Sequence, residues 1–204
     1  MGSAAIRAFA CSPRAGGNTD AMAHHFVQGV RAAGGNAEVT QLRDHTVLPC
    51  AACRACAAEA DAACPLAGRD DAEILFRRIE EAPLVCLLSP IFFYHVPAQL
   101  KCLIDRAQQY WERRRRAPER QASALRPGLV GFVAARRRGE KLFEGSMLTL
   151  KYFFELFDIR VVEDCRLTGY EQPDDLARDA AACARLHDMG VRAAALAAER
   201  AGQT

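Results

Sequence analysis

The feature that most constrains the fold is the run Leu84–Leu88, which reads Leu-Val-Cys-Leu-Leu. An uninterrupted apolar run of this length is typical of a central strand in a parallel sheet, because helices cover both faces of such a sheet. Shorter apolar or alternating stretches predict four more strands, at 4–10, 37–42, 129–134 and 159–162. Segments with helical periodicity separate the strands. This alternation predicts a doubly wound α/β domain with helices on both faces of a five-stranded sheet.

Five helices are expected beside these strands. The first two should end at Gly34 and near Ala82, the third should run through about Arg106 or beyond, the fourth should span 145–157, and the fifth should run from after Pro173 to about Glu199. The second helix begins near Asp70, and its spacing predicts that Ile74, Leu75 and Ile79 form the buried face.

Length and composition set the remaining bounds. With 204 residues, 50% of them hydrophobic and 25% charged, the chain is expected to form one domain over 1–204. The net charge of +2 gives no basis for nucleic-acid or membrane binding. No apolar run of 18 residues and no export signal is evident, so a soluble, cytoplasmic protein is expected.

The stretch Cys11–Thr19 joins the first strand to the first helix and reads Cys-Ser-Pro-Arg-Ala-Gly-Gly-Asn-Thr. A turn of this kind offers free backbone N–H groups and the positive end of a helix dipole to an anion. Ser12, Asn18 and Thr19 add polar side chains, and two glycines allow close approach of a ligand. The same residues are also common in ordinary helix caps, so the loop alone leaves phosphate binding and capping open.

Four of the nine cysteines lie in a segment at about 43–72 that has little periodicity. Cys50, Cys53, Cys56 and Cys64 form the pattern C-x2-C-x2-C-x7-C, followed by proline. Two-residue gaps let thiolates converge on one centre, and three cysteines at this spacing are similar to the bacterial ferredoxin run. The pattern favours an iron–sulfur cluster, while zinc and four metal-free thiols stay open as alternatives.

Other reactive residues carry weaker signals. We interpret four of the remaining thiols as core or partly buried residues: Cys86, Cys102, Cys165 and Cys183. Neither Cys11 nor His95 is assigned a role. The basic run 113–116 predicts a solvated helix face. The run 136–138 lies nearer the carboxyl edge of the sheet, where it could meet an NADPH phosphate or an acidic electron-transfer partner.

Three elements together carry a family resemblance: Ser12-Pro13-Arg14 with Gly17-Asn18-Thr19, the four-cysteine segment, and Ser89-Pro90-Ile91-Phe92-Phe93 leading to Ala98–Lys101 and Ile104–Arg106. Over roughly residues 4–170 the chain resembles the flavodoxin-like NADPH-dependent FMN reductases, and most of all the iron–sulfur flavoproteins among them. The resemblance implies the strand order 2-1-3-4-5 and a homodimer or homotetramer.

The resemblance also implies a set of cofactor-binding residues. The FMN phosphate would lie on the first loop, with Ser12, Arg14, Gly17, Asn18 and Thr19. The isoalloxazine ring would lie along the second loop, with Pro90, Ile91, Phe92 and Phe93. A third, usually glycine-containing loop reads Ala134-Ala135-Arg136-Arg137-Arg138-Gly139-Glu140 here, so only Gly139 fits it. No side chain is assigned an acid, base or nucleophile role.

The expected function is an FMN-dependent oxidoreductase that passes electrons between FMN and a [4Fe–4S] cluster. Its expected partners are NAD(P)H, a quinone or a ferredoxin. Two alternatives remain: a cluster-free NAD(P)H-dependent FMN or quinone reductase, and a non-catalytic flavoprotein that carries electrons or senses redox state.

Overall fold

Five parallel strands form one sheet in the structure, a computed structural model that describes residues 5–58, 62–116 and 125–201. The strands are β1 Ile6–Ala10, β2 Ala37–Gln41, β3 Val85–Pro90, β4 Arg126–Ala134 and β5 Ile159–Thr168. Their order is β2-β1-β3-β4-β5, and every neighbouring pair is parallel. The predicted flavodoxin-like sheet is confirmed. β3 lies at its centre, and Val85–Ser89 are buried as the apolar run predicts.

Seven helices in the described residues cover the two faces. They are α1 Asn18–Ala32, α2 Ala72–Glu81, α3 Ala98–Arg106, α4 Gln108–Arg116, α5 Glu144–Glu155, α6 Asp175–Arg178 and α7 Ala180–Ala201. One hydrophobic cluster packs α1, α6 and α7 on the first face, and a second packs α2, α3 and α5 on the other. Gly29 lets α1 approach α7 closely, because a Cβ there would lie 1.9 Å from the His187 carbonyl oxygen.

Several local predictions are wrong. Ile74 is 41% exposed, whereas Leu75 and Ile79 are fully buried, so α2 presents a narrower apolar face than its sequence suggests. The last helix is interrupted at Asp179, which separates α6 from α7. β5 continues six residues beyond the predicted end at Val162, because it pairs along the whole of β4. Residue 4 of the first predicted strand lies outside the described residues.

The carboxyl ends of the strands share one edge of the sheet, because all five strands are parallel. The connections that leave this edge are 11–17, 42–71, 91–97, 135–143 and 169–174. In a doubly wound sheet this edge is where ligands bind. Within the residues that the structure describes, no helix is both long and apolar enough to cross a membrane.

Candidate functional site

The amino end of α1 has backbone N–H groups available for a ligand. Gly17 is its N-cap residue, and no side chain caps the helix, so the ordinary capping interpretation is not what the structure shows. Among the described residues, no group accepts a hydrogen bond from the main-chain N–H of Asn18 or Thr19. Ser12 and Thr19 are buried beside this end, and the Ser12 hydroxyl accepts from the Arg14 N–H at 3.1 Å. Unpaired N–H groups at a helix start are suited to an anion.

The Asn18 side chain has a different task from the one predicted. Its Nδ2 donates to the carbonyl oxygens of Tyr170 at 3.2 Å and Gln172 at 2.8 Å, and its Oδ1 accepts from the Leu176 N–H at 3.0 Å. The side chain therefore ties the start of α1 to the segment after β5. Only the backbone N–H of Asn18 is left to face a ligand.

Two residues that the sequence reasoning missed shape this loop. Asp20 accepts from the Gly16 N–H at 2.7 Å through Oδ2 and from Arg43 Nη1 at 2.8 Å through Oδ1. Gly16 has φ +65°, a conformation that glycine adopts without strain. The sequence signal for Asp20 was its place in the first helical turn, where acidic residues are favoured. The ion pair with Arg43 offsets the charge of the Asp20 carboxylate beside the amino end of α1.

Arg14 is exposed and lies across Gly17. A Cβ on Gly17 would lie 3.2 Å from Arg14 Nε, so the missing side chain makes room for the guanidinium. No carboxylate among the described residues pairs with Arg14. The guanidinium is therefore free to meet an anionic ligand.

The predicted aromatic loop is a tight two-residue hairpin turn. Phe92 and His95 exchange backbone hydrogen bonds of 2.8 and 2.9 Å, and Phe93 and Tyr94 between them have φ +49° and +63°. Positive φ at both central positions is typical of type I′ turns, which normally contain Asn or Gly. Phe93 is fully exposed and Phe92 is 48% exposed, whereas Ile91 is half-buried. The turn therefore exposes two aromatic side chains to solvent at the carboxyl edge.

Two side chains of α5, Thr149 and Ser146, contact this turn. His95 Nε2 lies 3.1 Å from Thr149 Oγ1, and Ser146 Oγ donates to the Tyr94 carbonyl oxygen at 3.5 Å. His95 is half-buried, and its observed contact anchors the loop.

The loops after β4 and β5 join the same edge. Gly139 packs against Tyr94, because a Cβ on Gly139 would lie 2.8 Å from the Tyr94 hydroxyl oxygen. The Arg136 guanidinium lies 5.7 Å from the centre of the Tyr94 ring. The N–H groups of Gly169 and Tyr170 both donate to the Ala134 carbonyl oxygen, at 2.8 and 3.2 Å. Loops from β1, β3, β4 and β5 thus form one connected surface.

The four cysteines of the predicted cluster carry free thiols. Cys53 is exposed and Cys50, Cys56 and Cys64 are half-buried. Burial raises the pKa of Cys56, and the neighbouring Glu112, Cys50 and Cys64 raise it further. Within the described residues, no group of three or more metal-ligating side chains converges on a single point.

The backbone around Cys53 is unusual. Ala52 and Arg54, on either side of this cysteine, have φ +50° and +61°. Non-glycine residues rarely adopt this left-handed conformation, and such strain is concentrated at functional sites.

Arg106 holds the base of the cysteine segment. Its side chain is fully buried, and Nη1 donates both to the Asp70 carboxylate, which is also fully buried, and to the Leu48 carbonyl oxygen. Asp70 Oδ2 accepts from the Leu48 N–H at 2.8 Å. These contacts join the two ends of the segment to α3. Arg106 is among the residues that carry the family resemblance, but its position in the sequence did not predict the contact with Asp70.

Helix α4 supports the outer part of the same segment. The predicted solvated face is present at 113–115, which are exposed, whereas Arg116 is half-buried. Arg116 donates to the Ala57 carbonyl oxygen, close to Cys56. Arg114 pairs with Asp158 at 2.9 Å, Arg115 pairs with Glu112 at 2.9 Å, and the Arg113 guanidinium lies 5.3 Å from the centre of the Tyr110 ring.

The thiols outside the segment are core residues or lie beside the core. Cys11, Cys86 and Cys165 are buried, and Cys102 and Cys183 are half-buried. Burial raises the pKa of Cys11 and of Cys86, so both thiols stay protonated and unreactive at neutral pH.

Comparison with known proteins identifies the family. The family model described as NADPH-dependent FMN reductase matches residues 4–162. The chain belongs to this family. It is therefore a flavin-dependent oxidoreductase, and its cofactor is FMN.

Curated relatives agree with this family. An iron–sulfur flavoprotein of Methanocaldococcus jannaschii is 32% identical over 155 residues, which cover 75% of this chain and 72% of that protein. An iron–sulfur flavoprotein of Archaeoglobus fulgidus is 31% identical over 102 residues, which cover 50% of this chain and 44% of that protein.

Solved structures share the fold at low sequence identity. The NAD(P)H:quinone oxidoreductase from Methanothermobacter marburgensis has a TM-score of 0.68 at 18% identity, with 94% of this chain and 96% of that chain covered. An FMN-dependent NADH-azoreductase from Bacillus anthracis has a TM-score of 0.65 at 14% identity, with 94% and 99% covered.

Proposed function

We propose that the FMN phosphate binds at the amino end of α1. The observation that carries this proposal is the pair of main-chain N–H groups, of Asn18 and Thr19, that lack a partner among the described residues. Ser12 and Thr19 would add hydroxyl hydrogen bonds, and Arg14 would add a charge-assisted contact. Gly17 leaves space for the Arg14 guanidinium.

The aromatic turn would hold the isoalloxazine ring. Pro90 and Ile91 form its base, Phe92 and Phe93 supply the exposed apolar surface, and Gly139 closes the loop after β4 against Tyr94. Aromatic side chains favour stacking on a flat ring, and strained backbone at such a position is typical of ligand-binding loops.

The cysteine segment would bind a [4Fe–4S] cluster through Cys50, Cys53, Cys56 and Cys64. The spacing and the free thiols support this set chemically. Both curated relatives are named iron–sulfur flavoproteins. The thiols are not gathered into a ligand set in the described residues, so binding would require the loop to close. When bound, the two cofactors would couple two-electron flavin chemistry to one-electron transfer.

The protein's own residues would position cofactors and exclude water and would not transfer protons. The expected electron partners are NAD(P)H, a quinone or a ferredoxin, and the exposed aromatic turn favours a homodimer or homotetramer in which a second chain covers it.

The cluster is tested by iron and acid-labile sulfide assays on protein purified without oxygen. Wild-type protein should carry flavin and about four iron atoms per chain. Cys56→Ser should lose the iron and keep the flavin, whereas Cys102→Ser, which changes a half-buried thiol outside the segment, should keep both. Wild-type protein with flavin and no iron would instead favour the cluster-free reductase.

The phosphate site is tested by comparing FMN with riboflavin, which lacks the phosphate. A hydrogen bond to a charged group contributes about 1.5–3 kcal/mol. Thr19→Ala should therefore weaken FMN binding by roughly tenfold or more and leave riboflavin binding unchanged. An equal effect on both ligands would show that Thr19 acts away from the phosphate.

A further inference from the structure

Helix α5 carries an apolar stripe on its solvent side. Leu148 and Tyr152 are 58% and 64% exposed, and residues four apart lie on the same side of a helix. Gly145, three residues before Leu148, is also exposed on this side. The opposite side of α5 is buried in the core. A surface helix normally has polar residues towards solvent, so the stripe indicates a surface that a partner covers.

The stripe continues into the aromatic turn. A Cβ on Gly145 would lie 3.7 Å from the Tyr94 carbonyl oxygen and 3.9 Å from His95 Cδ2, so α5 lies against the turn at this residue. Tyr94 is 38% exposed and Phe93 is fully exposed. Helix and turn together form one apolar surface. Contiguous exposed surface of this kind marks an interaction site.

Two charged side chains follow one edge of the stripe. Glu144 and Lys151 are exposed and lie two helical turns apart, so they are on the same edge of α5. Among the described residues, neither side chain has an ion-pair partner. Gly145 and Tyr152 have the same separation along the other edge of the stripe. Leu148 lies close to the midpoint of both pairs.

This arrangement is complementary to itself. When a two-fold axis brings two copies of a helix together antiparallel, each residue faces one on the same edge at an equal distance on the other side of the axis. With the axis beside Leu148, Glu144 of each copy faces Lys151 of the other, and Tyr152 faces Gly145. Opposite charges meet, and a large ring meets a residue without a side chain. A parallel pairing would instead place like charges at the same height.

We propose that this side of α5 joins two copies of the chain, so that each copy places Tyr152 beside the aromatic turn of the other. Tyr152 reaches the turn because it faces Gly145, which lies against Tyr94. The two Glu144–Lys151 pairs fix the antiparallel orientation. The inference rests on the proposed homodimer or homotetramer, and it names the surface and the residue that the second copy brings to the ring site.

Light scattering after gel filtration, over a range of protein concentrations, tests the interface. Glu144→Lys places like charges opposite each other at both ends, so the dissociation constant of this contact should rise at least tenfold. Glu144→Lys/Lys151→Glu exchanges the two charges and should restore association. The matched control is Glu199→Lys, which makes the same charge change at an exposed position of α7, on the other face of the sheet. It should associate like wild type.

Carbodiimide cross-linking of the wild-type protein is a second test that needs no variant. This reagent joins a carboxylate directly to an amine, so it links only groups in contact. Glu144 and Lys151 of one chain are about 10 Å apart along the helix, too far for such a link. Protein mixed from ¹⁴N-labelled and ¹⁵N-labelled chains should therefore give Glu144–Lys151 cross-linked peptides that contain both isotopes.

The outcomes separate this inference from the oligomer on which it rests. A wild-type monomer at all concentrations would overturn both. An oligomer that Glu144→Lys leaves intact, or that forms no mixed-isotope cross-link between Glu144 and Lys151, would overturn the α5 interface alone. Dissociation of the Glu199→Lys control would reduce the effect to net charge and would also overturn the interface. Failure of the double variant to restore association would do the same.

Discussion

Phe93 has a left-handed backbone, which costs stability, and its fully exposed side chain gains no packing in return. A left-handed conformation costs a non-glycine residue roughly 1–2 kcal/mol. Asn tolerates this conformation better than Phe. We therefore expect Phe93→Asn to raise the free energy of unfolding by roughly 0.5–1 kcal/mol and to weaken FMN binding, as measured by urea denaturation and flavin titration.

Phe92→Asn is the matched control for this prediction. Phe92 lies in the same turn but outside the left-handed region, so its substitution relieves no strain. It should weaken FMN binding without raising stability. Equal stabilisation by both variants would rule out backbone strain at Phe93 as the cause.

Asp179 links pH to stability at the junction of α6 and α7. Its pKa is lowered by the hydrogen bond from the Ala182 N–H, at 3.0 Å, and then by the one from the Tyr170 hydroxyl, at 2.7 Å. Burial and the Asp179 contact raise the pKa of Tyr170 to about 12. A carboxyl with a lowered folded-state pKa stabilises the fold above its unfolded value and loses this effect as the pH falls through the folded value.

Asp179→Asn should therefore be less stable than wild type at pH 7, and the difference should shrink as the pH falls below about 4, the usual pKa of Asp. Urea denaturation at several pH values measures this. A difference that stays constant down to pH 2 would assign the effect to shape rather than to charge.

At the scale of elements, α3 connects the two halves of the proposed site. It begins directly after the aromatic turn and ends at Arg106, which holds the cysteine segment. Gln99 of the same helix donates to the Leu42 and His45 carbonyl oxygens at 2.8 and 2.6 Å. The helix that follows the aromatic turn thus holds both ends of the cysteine segment.

Arg106→Met should be strongly destabilising, because it leaves the buried Asp70 carboxylate unpaired. Removing one partner of a buried pair costs about 3–5 kcal/mol. The double variant Arg106→Met/Asp70→Asn should recover part of this loss. With the proposed cluster bound, both variants should lose iron to a chelator faster than wild type. Denaturation midpoints and the rate of iron release measure the two effects.

Lys101→Met provides the comparison on the same helix. Its ion pair with Asp105 is well exposed on both sides, and pairs of this kind contribute only about 0.3–0.5 kcal/mol. It should leave stability and iron release nearly unchanged. If the Arg106 variants released iron at the wild-type rate, the contacts of Arg106 would stabilise the fold without affecting the bound cluster.

At the scale of the whole molecule, local sequence patterns predicted the sheet. They did not predict contacts between residues that lie far apart in the sequence. The apolar run 84–88 and the alternation of strands and helices are read within short windows, and both match the structure. The Asn18 contacts join residues about 150 positions apart, and Arg106 meets Asp70 across 36 positions. Sequence spacing alone carries no signal for such partners. For the same reason, the basic run 113–116 predicted exposed side chains correctly but did not predict their partners.

Asn18 couples two loops at the carboxyl edge of the sheet, the loop after β1 and the segment after β5. Asn18→Ala removes three hydrogen bonds at a residue that is 5% exposed, and it leaves backbone groups of the segment after β5 without partners. We expect the free energy of unfolding to fall by roughly 1–3 kcal/mol.

FMN binding should weaken in the same variant, although the substitution leaves the Asn18 backbone N–H in place, because the start of α1 loses its anchor. Urea denaturation with and without saturating FMN separates the two effects, since a ligand at 100 times its Kd adds about 2.7 kcal/mol to the folded state. Gln28→Ala, on the exposed face of α1, should change neither quantity. Unchanged FMN affinity in Asn18→Ala would mean that the loop 11–17 keeps its conformation without the Asn18 contacts to the segment after β5.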